Sequence, residues 1–187
     1  MQPTKQLFRT MSSLAGSENY LFTSSDLRAV LPTLTPSAFK ALLSRAVKLG
    51  FLKRVCRGLY LYEQVNYSRG LVLFHAAARL RASCFNYISL ETALSEAGVI
   101  SQIPINWVTI MTSGRSSVIS CGDWGHIEFI HTRKQPAAIL DELSYDSRCR
   151  LWRASVTLAL QDMKTSHRNM DLINWEIANE LTRSTRD

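Results

Sequence analysis

The sequence predicts an α+β protein with two domains. A helical domain closed by a β-hairpin is expected over residues 1–66, and a small antiparallel sheet with packed helices over residues 67–187. Three observations predict this: helical periodicity dominates the first 49 residues, two strand-like runs around a tight turn follow, and short alternating runs mix with helical segments in the remainder. The polar run over residues 63–68 sets the boundary.

The composition is that of a globular protein, with 187 residues, 46% of them hydrophobic, and a net charge of +7. No window approaches the roughly 18 uninterrupted apolar residues of a membrane span, and the N-terminus lacks the pattern of a secretory signal. We therefore expect a cytoplasmic protein. The cysteines are scattered without a CxxC pair, which favours reduced thiols and predicts neither a metal nor another cofactor: Cys56, Cys84, Cys121 and Cys149.

Positive charge is concentrated in the first third of the chain. Residues 1–66 hold nine Lys or Arg against three acids, whereas residues 67–187 hold 13 against 12. No carboxylate occurs between Asp26 and Glu63, although a surface shaped only for solubility mixes its signs. A polyanionic partner is therefore expected for the first domain.

Two helices and a short strand are predicted before residue 33. Apolar residues recur at helical spacing from Leu7 to Leu14, and a small strand over residues 20–23 follows. Ser24 or Ser25 is then expected to cap the second helix, because an acid in its first turn suits the helix dipole.

A third helix is predicted from residue 36 to about residue 49. Thr35 is the expected N-cap, and Pro36 suits the first helical position because its missing N–H costs nothing there. Gly50 follows where a left-handed cap is needed. One face is apolar and must pack inward: Phe39, Leu42, Leu43, Ala46 and Val47.

The third helix is followed by a predicted β-hairpin. Strand-like runs over residues 51–55 and 59–62 flank a turn at Cys56-Arg57-Gly58. Helix, helix, helix, hairpin is the order of a winged helix-turn-helix. This motif places its third helix in the major groove of double-stranded DNA.

Small or cationic side chains opposite the apolar face are the predicted contacts in the major groove: Ser37, Lys40, Ser44, Arg45 and Lys48. In the hairpin, Lys53 and Arg54 are expected to neutralise phosphates, and Arg57 to reach the minor groove or the backbone. Two alternatives stay open from these residues. The helix face and hairpin are a solvated surface that binds nothing, or the winged helix docks a protein.

The second domain alternates between predicted helices and strands. A buried helix from residue 69 leads through an extended segment over residues 84–88 to a second helix, which Ser89 is expected to cap. After a break at Ile103-Pro104, three strands and then three helices are predicted. The strands cover residues 106–112, 118–121 and 126–131; the helices cover residues 136–143, 149–163 and 169–181.

No catalytic constellation is recognisable. His126 and His131 lie five residues apart on a predicted strand and point to opposite faces, so they cannot share a metal. Cys121, expected as a half-buried thiol in a strand, has no activating His at a motif distance. The loop over residues 113–117 lacks the spacing of a phosphate-binding loop. We therefore predict that the protein is not an enzyme.

Several short motifs occur in a recognisable order: Arg57-Gly58-Leu59-Tyr60, the phrase YISLETAL over residues 87–94 with Gly98, and the strands over residues 108–112 and 126–130. In this order, over nearly the full chain, they resemble the AbiEi family of antitoxins, from bacterial type IV toxin–antitoxin systems linked to abortive phage infection. The resemblance implies an N-terminal winged helix that represses the protein's own operon. It also implies a C-terminal domain that counters a nucleotidyltransferase-like toxin, with or without direct contact.

The leading hypothesis is a DNA-binding transcriptional repressor and antitoxin. It would recognise an inverted repeat upstream of its operon, either as a homodimer or as two monomers, and counteract the cognate toxin. The alternative is a protein-interaction module that binds and inhibits a partner enzyme directly, without specific DNA binding. A third hypothesis is a nucleic-acid-modifying enzyme that uses the loop over residues 113–117.

Overall fold

The computed structural model describes residues 2–101 and 105–184 and has an α+β fold, as predicted. The chain divides into two compact units, one up to Val72 and the other from Leu73 onward. The predicted boundary, after residue 66, therefore lies a few residues before the observed one. The predicted break at Ile103-Pro104 lies outside the described residues. Over the described ranges, no helix has both the length and the apolar character needed to cross a membrane.

The first unit contains three helices and a three-stranded antiparallel sheet in the order β1-β3-β2. Each of the helices and strands predicted for this part of the chain is present. Their bounds are α1 Pro3–Leu14, β1 Leu21–Thr23, α2 Ser24–Val30, α3 Pro36–Lys48, β2 Leu52–Cys56 and β3 Leu59–Tyr62.

The start of α2 differs from the predicted one. Thr23, rather than Ser24 or Ser25, is the N-cap. Its hydroxyl accepts the Asp26 N–H at 3.1 Å, and the Thr23 N–H donates to the Asp26 carboxylate at 2.7 Å. This reciprocal pair is a capping box, which uses the acid three residues after the cap and so places the N-cap one residue before Ser24.

Helix α3 begins and ends where the sequence predicts. Thr35 accepts the Ala38 N–H at 3.3 Å, and Pro36 occupies the first turn. At the other end Gly50 has a φ of +73°, and the Phe51 N–H donates to the Ala46 carbonyl at 3.0 Å. This cap turns the chain directly from the helix into the hairpin.

The predicted apolar face of α3 lies in the core of the first unit. Phe39, Leu42, Leu43 and Ala46 are buried, and Val47 packs against the same cluster. The cluster also takes side chains from α1, α2 and the sheet: Leu7, Met11, Leu27, Leu31 and Leu52. Because the core fixes this face inward, the polar face of α3 must point to solvent.

The second unit contains a six-stranded sheet in the order β6-β7-β5-β4-β9-β8. Two of its strand pairs, β4–β9 and β5–β7, are parallel, and the others are antiparallel. The strands are β4 Asn86–Ile88, β5 Trp107–Thr112, β6 Ser117–Ser120, β7 His126–His131, β8 Leu143–Asp146 and β9 Leu151–Ala154. The helices are α4 Val72–Leu80, α5 Leu90–Glu96, α6 Val156–Thr165 and α7 Trp175–Ser184.

The sheet of the second unit is larger than predicted, and mixed rather than antiparallel. The segment predicted as a helix over residues 136–143 forms two 3₁₀ turns and then enters β8, and the start of the helix predicted from residue 149 is β9. Tyr145 and Trp152 face each other in these strands, with ring centroids 5.4 Å apart. Cross-strand pairing of this kind outweighs local helical preference.

Asp162 is a fully buried carboxylate inside the second unit, on α6. It accepts the Ser89 hydroxyl proton at 2.7 Å and an ammonium proton of Lys134 at 2.6 Å. Ser89 occupies the N-cap position of α5 as predicted, but its side chain does not cap the helix. The Ser89 hydroxyl instead donates a hydrogen bond to the Asp162 carboxylate, whose charge would be costly to bury without partners.

A buried phenol, Tyr87, and a buried thiol, Cys149, predict that the second unit loses stability at alkaline pH. Burial, and then the negative charge of Asp162, raises the pKa of Tyr87 well above its usual range. Burial, and then Asp146, raises the pKa of Cys149 to about 12. In the unfolded chain the thiol titrates near pH 8.5 and the phenol near pH 10, so the unfolded state loses protons that the folded state keeps.

The free energy of unfolding should therefore fall from about pH 9 upward, by as much as about 1.4 kcal/mol per pH unit for each group. Urea unfolding between pH 8 and pH 11 measures this fall. In Tyr87→Phe the decline above pH 10 should be shallower than in the wild type, because one of the two groups is gone. An equally steep decline in the variant would contradict the role of Tyr87.

Candidate functional site

The first unit carries an open groove of about 1220 Å³ between α2, α3 and the β2–β3 hairpin. Five cationic side chains line it: Arg28 from α2, Lys40 and Lys48 from α3, and Arg54 and Arg57 from the hairpin. Among the described residues, no Asp or Glu lines the groove, and none of these five cations forms an ion pair. The groove therefore has an uncompensated positive potential, which low-dielectric walls focus.

Helix α3 contributes a polar stripe to one wall of the groove. Lys40, Ser44 and Lys48 are exposed and follow one another at intervals of four residues, so they lie one above another on a single helix face. Small and cationic side chains on such a face can approach phosphates closely. The sequence predicted all three.

The hairpin contributes the other wall. Arg54 on β2 is directly opposite Tyr60 on β3, and both line the groove. Residues paired in this way share one face of a sheet, so the two side chains project together. Arg57 is exposed at the turn, where Gly58 has a φ of +81° that other residues rarely adopt. The tight turn thus holds a guanidinium at the tip of the hairpin.

Three of the predicted contact residues do not line the groove. Ser37 is exposed in the first turn of α3, with its hydroxyl 3.2 Å from that of Thr35. Arg45 is exposed but lies about 140° around the helix from Lys40, on the other flank. Lys53 is half-buried and, because successive strand residues alternate, it occupies the sheet face opposite to Arg54.

Arg28 lines the groove but was not among the predicted contacts. Its guanidinium lies 5.3 Å from the Phe39 ring centroid, and Nη2 donates to the Leu34 carbonyl. Nη1 is buried and has no hydrogen-bond partner among the described residues. These contacts fix the side chain of Arg28 in place. Its position within the acid-free stretch was the sequence signal that could have identified it.

The groove also has apolar and hydroxyl-bearing parts that the sequence did not reveal. Pro32, Pro36 and Val47 line it together with Tyr60, and Ser24 and Ser25 lie at the start of α2. Prolines and an aromatic ring offer surface for sugar or apolar side-chain contacts, while hydroxyls offer hydrogen bonds.

Comparisons with known proteins add little to this geometry. No family model matches the chain, and no curated protein matches it. Among solved structures, the chain is similar to the RV2827C protein from Mycobacterium tuberculosis, with 14% sequence identity and a TM-score of 0.48. The likeness covers 81% of this chain and 53% of that one, so the chain spans about half the length of this neighbour.

In the second unit, the polar residues considered for chemistry hold the fold together. The Phe85 N–H donates to Ser113 Oγ at 3.0 Å, and the His131 N–H donates to Ser116 Oγ at 2.9 Å. His131 Nδ1 lies 2.8 Å from the Gly114 carbonyl oxygen. Cys121 is fully buried just after β6, rather than half-buried within a strand. These contacts give the loop over residues 113–117 a structural task.

Proposed function

We propose that the protein is a DNA-binding transcriptional repressor whose first unit is a winged helix-turn-helix. The observation that carries the proposal is the groove between α3 and the hairpin, with five cations and no lining carboxylate among the described residues. Phosphate neutralisation by Lys and Arg supplies most of the affinity of DNA-binding proteins, so this charge pattern favours a DNA partner over a neutral one.

In this proposal α3 enters the major groove and the hairpin lies against the neighbouring backbone. Lys40, Ser44 and Lys48 form the stripe that meets the DNA, where Lys and Ser side chains bond to base edges or phosphates. Arg57 at the hairpin tip contacts the adjacent minor groove or its phosphates. Arg28 also lines the groove, where its charge adds to the positive potential that attracts phosphates.

The antitoxin activity is proposed from the order of short motifs that resembles the AbiEi family. The second unit would then counter a nucleotidyltransferase-like toxin encoded beside this chain. Direct contact between the two proteins is not required by that resemblance. The neighbouring reading frame tests this part, because a nucleotidyltransferase gene next to this one is expected.

The DNA proposal predicts strongly salt-dependent binding to the DNA upstream of the protein's own gene. With about five phosphates neutralised, the logarithm of the association constant should fall with log salt at a slope of about −4 to −5. Fluorescence anisotropy with a labelled duplex measures the slope. Arg57→Ala should reduce it by about one, because one phosphate contact is lost. A slope near zero in the wild type would contradict DNA binding through this groove.

A second candidate function is the docking of a partner protein in the same groove. The apolar lining from Pro32, Pro36, Val47 and Tyr60 favours it, since a protein segment would bury these side chains. Co-purification of the full-length protein with its toxin, together with no shift of the upstream DNA, would support this function instead.

A further inference from the structure

Strand β6 is one of the two edge strands of the second unit's sheet, and it lacks the residues that usually protect such an edge from pairing. Residues 116–120 read SSVIS and carry no charge and no proline. Val118 in its centre is 56% exposed. Proteins commonly protect an open edge strand with Lys, Pro or an inward-pointing charge, because its unpaired backbone groups otherwise pair with another strand. The opposite edge, β8, ends in Asp146, which pairs with Arg153 at 2.7 Å.

Hydrogen bonds from neighbouring residues also hold edge strand β6 in place. Arg81 Nη2 donates to the Arg115 carbonyl at 2.9 Å and to Ser117 Oγ at 3.0 Å. Ser116 Oγ accepts the His131 N–H at 2.9 Å. A strand fixed in this way loses little entropy when another strand is added to it, which favours association.

We propose that β6 is the homodimer interface, pairing antiparallel with β6 of a second copy to form one continuous sheet. A two-fold axis perpendicular to the sheet keeps each face of the sheet on the same side, and residues opposite one another share a face. The axis must therefore pass midway between one residue and its own copy, so that this axial residue pairs with itself. Val118 is the axial residue, because self-pairing there buries its exposed side chain against its own copy.

The charges that flank β6 suit antiparallel pairing. Arg115 precedes the strand, Asp123 follows it, and both are exposed. Pairing about Val118 places Arg115 of each copy opposite Cys121 of the other, so the two Arg115 side chains lie at opposite ends of the paired strands. Parallel pairing would place Arg115 beside Arg115. From residue 73 onward the chain holds 12 Lys or Arg and 12 Asp or Glu, so two copies of this unit do not repel each other as a whole.

The interface does not rest on DNA binding, since it involves only the second unit. A two-fold dimer would present two copies of the first unit, and two-fold proteins read inverted repeats. Failure of DNA binding would leave the dimer in place. Failure of the dimer would leave each copy able to bind DNA.

Sedimentation of the full-length protein without DNA tests the interface. The wild type should be a dimer at about 50 µM, and Val118→Lys should raise the dissociation constant at least tenfold, because it places two like charges on the axis. Tyr145→Lys, a matched change on the other edge strand, should leave the dimer unchanged. A monomeric wild type, or dissociation caused by Tyr145→Lys instead, would overturn the proposal.

A disulfide tests the register without relying on the Lys variant. Directly opposite residues of an antiparallel pair have Cα atoms about 4.5 to 5.5 Å apart, within the range that a disulfide spans. Oxidised Val118→Cys should therefore form a covalent dimer on a non-reducing gel. Ser120→Cys should not, because four residues separate it from its own copy, or about 13 Å along the strand. Equal cross-linking of both variants, or of the wild type, would contradict the register.

Discussion

Replacement of Lys48 by Glu is expected to weaken DNA binding about 100-fold at moderate salt. Lys48 is exposed at the C-terminal end of α3 and lines the cationic groove. The substitution removes one attraction for the phosphates and adds a repulsion. A change of about 3 kcal/mol corresponds to about a 100-fold loss. Anisotropy titration of the upstream duplex at fixed salt measures the change.

Arg45→Glu is the matched control for Lys48→Glu. Both residues are exposed cations in the last turn of α3, three positions apart, and both substitutions change the charge by two units. Because Arg45 lies on the flank away from the groove, its loss should be no more than about tenfold. Equal losses for the two variants would mean that total charge, rather than the groove, determines binding.

Replacement of Lys134 by Met is expected to destabilise the second unit by about 2 kcal/mol. The variant leaves the Asp162 carboxylate buried without its cationic partner, while the Met side chain keeps the apolar stem in place. Breaking a buried pair typically costs about 3 to 5 kcal/mol. Lys134 is 26% exposed. Water can therefore reach part of the site, and the smaller figure applies.

A double-mutant cycle separates the buried charge from other effects of the substitution. Asp162→Asn removes the charge and keeps an oxygen that accepts the Ser89 hydroxyl proton. The combination of Lys134→Met with Asp162→Asn should therefore cost less than the sum of the two single changes. Urea unfolding at pH 7 gives the unfolding free energies of the wild type, the two single variants and the double variant. Simple additivity would show that Lys134 and Asp162 do not interact.

The parts of the fold governed by short-range sequence rules were predictable. Helix α3 is an example, since Thr35, Pro36 and Gly50 mark its ends and its apolar stripe has a helical period. Strands β8 and β9 were missed because their stability comes from distant partners. Residues 151–154 do not alternate simply between apolar and polar, and Arg153 within them is held by Glu96 and Asp146.

The candidate site was predictable as a set of charges but not as a surface. A helical wheel gives the polar face of α3, yet only the position of the hairpin decides that Lys40 rather than Arg45 faces the groove. Similarly, the pairing of Arg54 with Tyr60 decides that Arg54 rather than Lys53 faces the groove, and this register includes a bulge before Cys56. Arg28 was missed because it comes from another helix and joins the groove only in three dimensions.

The strand order of the second unit imposes a sequence of events on the growing polypeptide. Strand β4 lies between β5 and β9, and Tyr87 of β4 pairs with Trp152 of β9. Until the ribosome has released β9, one edge of β4 has no partner strand, and unpaired strand edges make incomplete chains prone to aggregate. The first unit is made of contacts closer in sequence and can form well before that moment. We therefore expect the cationic groove of the nascent protein to be structured before its second unit is complete.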